Sequence, residues 1–165
     1  PQVVQLAEAI RMVELLDTWG EEDEGLAWFA AGEVARDALD APRLARAFFL
    51  RFVAEHPRGP WSGKAILAAL ATTPDPRSDL ALQRGLEART WDPYVAQART
   101  GSVGAERVER LEARLAERLG VLMERARAEA RRRDLFLRGA DTLGVVTLPP
   151  SSAPFPSTPQ APLPS

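Results

Sequence analysis

The sequence has 165 residues, 45% of them apolar and 27% charged, ordinary values for one globular domain with appendages. The absence of cysteine excludes disulfides, thiolate metal sites and cysteine nucleophiles, and no apolar run approaches the ~20 residues that span a bilayer. The net charge of −2 hides a gradient from −8 over residues 1–40 through +4 over 41–100 to +2 over 101–165, a basic excess too small and too interleaved with Glu to point to nucleic acid.

In chain order, Val3, Leu6, Ala7, Ile10, Val13 and Leu16 recur at three- and four-residue steps, which predicts an amphipathic helix from about Gln2 to Trp19. Gly20 and the run Glu21-Glu22-Asp23-Glu24 break it, and these acids are expected at the start of the next helix, complementing its dipole. That second helix, near Gly25 to Leu39, sets Leu26, Phe29, Ala30 and Val34 on one side, with Trp28, Ala31 and Ala35 beside them. Asp40 is the expected N-cap of a third helix, with Pro42 in its first turn. It carries Leu44, Ala45, Phe48, Phe49, Phe52 and Val53, and stops at His56-Pro57, where proline cannot continue the ladder. Pro60 restarts a fourth helix over Trp61 to Ala71. After the break Thr72-Thr73-Pro74-Asp75-Pro76, Ser78 is the expected cap of a fifth helix through Leu80, Leu82 and Leu86, and Pro93 opens a short sixth.

Beyond Gly101 to Gly104, one long helix is predicted from about Ala105 to Leu137. Its apolar positions, Val108, Leu111, Leu115, Leu119, Leu122, Ala126 and Ala130, include pairs 11 residues apart, a spacing that keeps a nearly straight stripe along a helix. Glu106 with Arg110, and Arg125 with Glu129 and Arg133, add i,i+4 support. Leu143 to Leu148 is β-prone. Pro149 to Ser165 is rich in Pro, Ser and Ala, carries no charge, and is expected to be extended or disordered. The sequence thus divides into a helical-repeat domain over 1–100, a long amphipathic helix over 101–138 and a Pro/Ser-rich tail over 139–165, an all-α chain of antiparallel helix pairs.

One spacing occurs twice. Pro60-Trp61 and Pro93-Tyr94 each follow a helix and a short turn and open the next helix, 33 residues apart, and Ala54 precedes Ala88 by 34. A period in that range marks stacked helix-turn-helix repeats. Within Trp28 to Ala71 the residues Trp28, Ala31-Gly32, Ala35, Ala45, Phe49 and Pro57 fall where a large residue, small residues, an aromatic and a helix-ending proline recur. This stretch resembles a tetratricopeptide repeat followed by the first helix of its neighbour. The turn from His56 to Trp61, followed by Lys64-Ala65, is similar to the turn of bacterial cell-envelope members of that family. The resemblance implies a short superhelical array, a protein-binding role, and a periplasmic or outer-membrane-associated location. The excess of arginine over the single Lys64, with abundant Ala, also fits a GC-rich bacterial genome. Because the sequence opens on Pro1, any signal peptide or lipid anchor is expected upstream.

No constellation of residues points to catalysis or to a cofactor. His56, the only histidine, has no partner at a suggestive spacing and reads as a helix-end residue. Lys64 reads as an exposed residue of the repeat turn rather than an activated amine. Glu21 to Glu24 lacks the alternating ligands and central glycine of a calcium loop, and Gly101-x-x-Gly104 lacks the strand and lysine of a phosphate cradle. Trp19, Trp28, Trp61, Trp91 and Tyr94 read first as inter-helix packing. As candidates for partner contact, Trp28, Trp61, Trp91, Tyr94 and Phe155 stand out, since aromatics dominate binding hot spots.

Two functions follow as expectations. The first is a non-enzymatic protein-protein interaction module, taking a partner helix or extended peptide. The second is a structural subunit, with the long helix and tail joining it to a larger assembly or to copies of itself. A stripe on Ala105 to Leu137 that folds back on the repeats makes the long helix a cap, and one that projects makes it an assembly contact.

Overall fold

The computed structural model describes residues 2–101 and 104–142. Leu143 to Leu148 and the tail through Ser165, with Phe155, lie outside the described residues. Those described are all-α, without a strand: α1 (Gln2–Thr18), α2 (Leu26–Asp37), α3 (Pro42–Glu55), α4 (Ser62–Ala71), α5 (Leu80–Glu87), α6 (Pro93–Thr100) and α7 (Ala105–Thr142). No helix among them is long and apolar enough to cross a membrane.

Helices α1 to α4 pack in sequence order, and α7 returns along α1, α2 and α6. Small residues make this possible. A Cβ built on Gly32 would lie 2.7 Å from the Phe49 ring, so only glycine lets α3 come so close to α2. Phe49 is fully buried there and meets Phe29 edge-on, with ring centroids 5.3 Å apart and planes at 68°. Gly20 serves Trp28 in the same way, because a Cβ there would fall inside the indole.

The stripe on α7 folds back. Val108, Leu111, Leu115, Leu119, Leu122, Ala126 and Ala130 are all buried, so the 11-residue spacing yields a helix whose one face covers the array along its length. At 38 residues, α7 runs about 57 Å.

Local chemistry corrects several expected boundaries. Asp40 does not cap α3. It has φ +48°, and Ala41 is the N-cap, its N–H closing the turn onto the Ala35 carbonyl at 2.9 Å. Asp79, not Ser78, caps α5, accepting from the Leu82 N–H at 3.1 Å and pairing with Arg46 of α3. The Leu82 N–H first, then the Arg46 guanidinium, hold the Asp79 carboxyl below the usual aspartate range. Ser78 instead bonds to the Asp75 carbonyl at 2.9 Å.

The acidic run does not begin α2 either. That helix has Gly25 as N-cap and no acid in its first turn. Asp23, Glu24 and Gly25 turn through three successive left-handed conformations, which point the acids at α7. Asp23 and Glu24 pair with Arg118, and Glu22 with Arg125 at 2.6 Å. Arg125 also lies 3.9 Å over the Trp19 ring, so it serves the loop rather than the predicted pairing with Glu129. Glu8 of α1 meets Arg127 and Arg131, and Arg11 meets Asp134. The acidic first quarter of the sequence is therefore the electrostatic counterpart of the middle and end of α7.

Candidate functional site

The two repeated turns come to lie side by side. Trp61 is the N-cap of α4 and Asp92 that of α6, and one carboxylate joins them. Asp92 is completely buried, accepting from the Tyr94 N–H at 2.9 Å, the Val95 N–H at 3.4 Å and the Gly63 N–H at 3.1 Å. It thus caps its own helix and satisfies an otherwise orphaned donor in the first turn of α4. Gly63 is obligatory, since a Cβ there would sit 2.0 Å from an Asp92 oxygen. Burial pushes the Asp92 carboxyl up from the usual aspartate range, against the pull of the three backbone N–H donors and of Arg89.

Helix α7 crosses these turns. The Trp61 indole Nε1 donates to the Leu111 carbonyl at 3.1 Å in a buried bond, and Lys64 Nζ meets both Glu112 oxygens at 2.6 and 2.7 Å. Lys64 is accordingly half-buried and paired, not the exposed turn residue expected. Burial also pushes the Tyr94 phenol upward, with the Glu112 carboxylate adding to the effect.

Where turns and helix meet, they leave an open cavity of about 440 Å³, lined by Arg58 and Pro60 of the first turn, Trp91, Asp92 and Pro93 of the second, and Arg107, Arg110, Leu111 and Arg114 of α7. Its lining is about half polar, with four guanidiniums beside the apolar Pro60, Trp91, Pro93 and Leu111. Asp92, the one acid in the lining, has its oxygens committed to backbone donors. The volume falls within the range of small binding pockets.

Among the described aromatics singled out for partner contact, only Trp91 is largely presented to solvent, at 53% exposure. Trp28 is 4% exposed, Trp61 1% and Tyr94 7%. These three are removed from the contact set because the neighbouring helices, and for Trp61 and Tyr94 the returning α7, cover them. Phe155 lies outside the described residues. His56 ends α3 as expected, its ring 5.8 Å from that of Phe52.

Sequence reasoning missed the arginine rim. Arg107, Arg110 and Arg114 share one helical face by their spacing of three and four. That signal was available, but only the fold sets Arg58 and Trp91 opposite them.

A second exposed feature lies at the α1 start and α7 end. Val3, Val4, Leu6 and Ile10 are solvent-exposed there, as are Leu135, Phe136 and Leu137. Among the described residues no three His, Cys, Asp or Glu side chains gather as a metal-binding group. The pocket offers guanidinium donors and an indole face, which are recognition groups. No protein-family model, curated protein or solved structure matches this chain.

Proposed function

We propose that this chain is a non-enzymatic protein-protein interaction module built from tetratricopeptide-like helix pairs, with its partner contact at the Trp91 pocket. The observation that carries the reading is a half-exposed tryptophan among four arginines, over a cavity held by a buried two-helix cap. Exposed Trp and Arg are the residue types that dominate interface energetics. Helix α7 already fills the inner face of the array, so partner binding at the mouth needs no unfolding of the module.

The test is selection of peptides from a displayed random library against the full chain, with the Trp91→Ala variant as comparison. Selected peptides are expected to bind the variant at least about tenfold more weakly, the scale of a hot-spot loss. Failure to enrich any peptide, or enrichment indifferent to Trp91, would remove the reading.

A second reading, a structural subunit, is favoured by the exposed apolar end, where Val3 is 79% and Phe136 76% exposed. Such a patch marks an association surface. On this reading the chain self-associates in sedimentation experiments and Phe136→Glu returns it to a monomer. A parent chain that is monomeric at every concentration tested excludes self-assembly through this end.

A further inference from the structure

The Trp91 pocket carries charge that its own fold does not use. Arg58, Arg107 and Arg114 make no ion pair among the described residues, although Arg114 rests 5.8 Å over the Trp61 ring. Arg110 reaches only Glu106, at 4.0 Å, between two well-exposed side chains. Further along α7 the position is reversed, since Arg118, Arg125, Arg127 and Arg131 each meet an acid of α1 or of the loop after it.

One of these arginines sits at the wrong end of α7 for stability. Arg107 lies in the first turn of α7, where the helix dipole is positive and favours acids over cations. Cations gathered there add to one another's potential and to that of the dipole. Glu106, Glu109 and Glu112 alternate with these arginines along the helix, but of the charged side chains of α7 only the arginines line the pocket, so its mouth is cationic although the helix start as a whole is neutral. The field of that mouth attracts anions.

The dimensions narrow the ligand. Arg107 to Arg114 spans about 10 Å of helix, and an extended peptide returns a side chain to one face about every 7 Å. Beyond Arg114 the acids of the α1–α2 loop neutralise the helix, so the positive track is short. A long phosphate backbone would run on into that acidic ground, whereas a few carboxylates match the track. The exposed Trp91 indole beside it offers a flat apolar face for one neighbouring side chain.

We infer that the pocket takes an acidic, extended segment of a partner protein, with carboxylates at alternate positions against Arg58, Arg107, Arg110 and Arg114 and an adjacent aromatic or apolar side chain on Trp91. This rests on the interaction-module reading and names the partner's chemistry.

The experiment is fluorescence anisotropy on the full chain with a short labelled peptide carrying one phenylalanine and glutamates at alternate positions, and with its glutamine counterpart. Single-stranded oligothymidine and vesicles containing an anionic phospholipid are further probes. The glutamate peptide is expected to bind at least about tenfold more tightly than the glutamine peptide, losing affinity as salt shortens the Debye length below about 10 Å. Arg107→Gln with Arg114→Gln, and separately Trp91→Ala, are each expected to weaken it by about tenfold or more. Both variants alter exposed side chains, and unchanged melting temperatures will show that they remain folded.

Equal binding of the two peptides, still lost in Trp91→Ala, would overturn the acidic partner and leave the interaction module standing. Failure of both peptides overturns it likewise, while library peptides that bind through Trp91 keep the module. Tighter binding of the oligonucleotide or the vesicles, lost in the arginine variant, would assign the patch to phosphates and overturn the inference.

Discussion

Phe49→Ala is expected to lower the unfolding free energy by about 3–5 kcal/mol, the range for truncating a buried aromatic. Phe49 is completely buried, it stacks edge-on against Phe29, and it lies directly over Gly32. Glycine has no side chain to swing into the space left behind, so the cavity persists. The same geometry predicts a reversal of sign. Gly32→Ala is destabilising in the parent, where its Cβ would meet the Phe49 ring at 2.7 Å. In the Phe49→Ala background that clash is gone, and alanine recovers helix propensity worth up to about 1 kcal/mol. A double-mutant cycle by urea denaturation checks this. Additive effects of the two substitutions would mean that α2 and α3 do not meet at this point.

Asp92→Ala is the second large effect, expected to cost about 1.5–5 kcal/mol. It combines the loss of an N-cap, about 0.5–2 kcal/mol, with a buried Gly63 N–H left unsatisfied at about 1–3 kcal/mol. Asp92→Asn keeps one acceptor oxygen but sets an amide donor against the Gly63 or Tyr94 N–H, so its cost is intermediate. The pH dependence is distinctive. Because burial raises the Asp92 pKa in the folded chain, the folded state holds the proton more tightly than the unfolded one. The stabilisation from that proton is complete below the unfolded value, near pH 4, and is lost as pH rises through the folded value. Asparagine cannot titrate, so the stability gap between parent and Asp92→Asn narrows as pH rises through this window. A gap that widens with pH would mean that Asp92 is held as a favoured carboxylate.

Periodicity made much of the fold readable. The starts and ends of α1, α2 and α4 lie within two residues of those expected, α3 is capped one residue later than expected and ends where expected, and the starts of α6 and α7 agree. The stripe from Val108 to Ala130 is buried residue for residue, because a helix that covers an array needs one apolar face and the spacing of its apolar residues reports that face. The close approach at Gly32, Ala45 and Phe49 was readable for a related reason, as small residues opposite a large one imply near contact.

Pairings across long separations were not readable. Nothing near Glu22 to Glu24 names Arg118 or Arg125, about a hundred residues away, so the acids were assigned to the nearest helix start. Arg46 with Asp79 and Lys64 with Glu112 escaped for the same reason. Composition could only hint at them, through a −8 block balanced by later arginines. The aromatic residues show the limit most clearly. Trp61 and Trp91 occur in similar turns, yet α7 covers one and leaves the other exposed, and that choice belongs to the tertiary fold.

The return of α7 onto α1 also fixes an order of events during synthesis. Glu8 and Arg131, which meet across that seam, are 123 residues apart. At a ribosomal rate of about 5–20 residues per second, α1 waits on the order of ten seconds for its partner. Until α7 arrives, Trp61 lacks the carbonyl of Leu111 to which its indole donates and the cover of that helix. A newly made α7 from a neighbouring ribosome on the same message presents an identical stripe at high local concentration. Exchange of this helix between growing chains is therefore the assembly error to expect of the architecture, with the acids and arginines matched along the seam setting the register of either pairing.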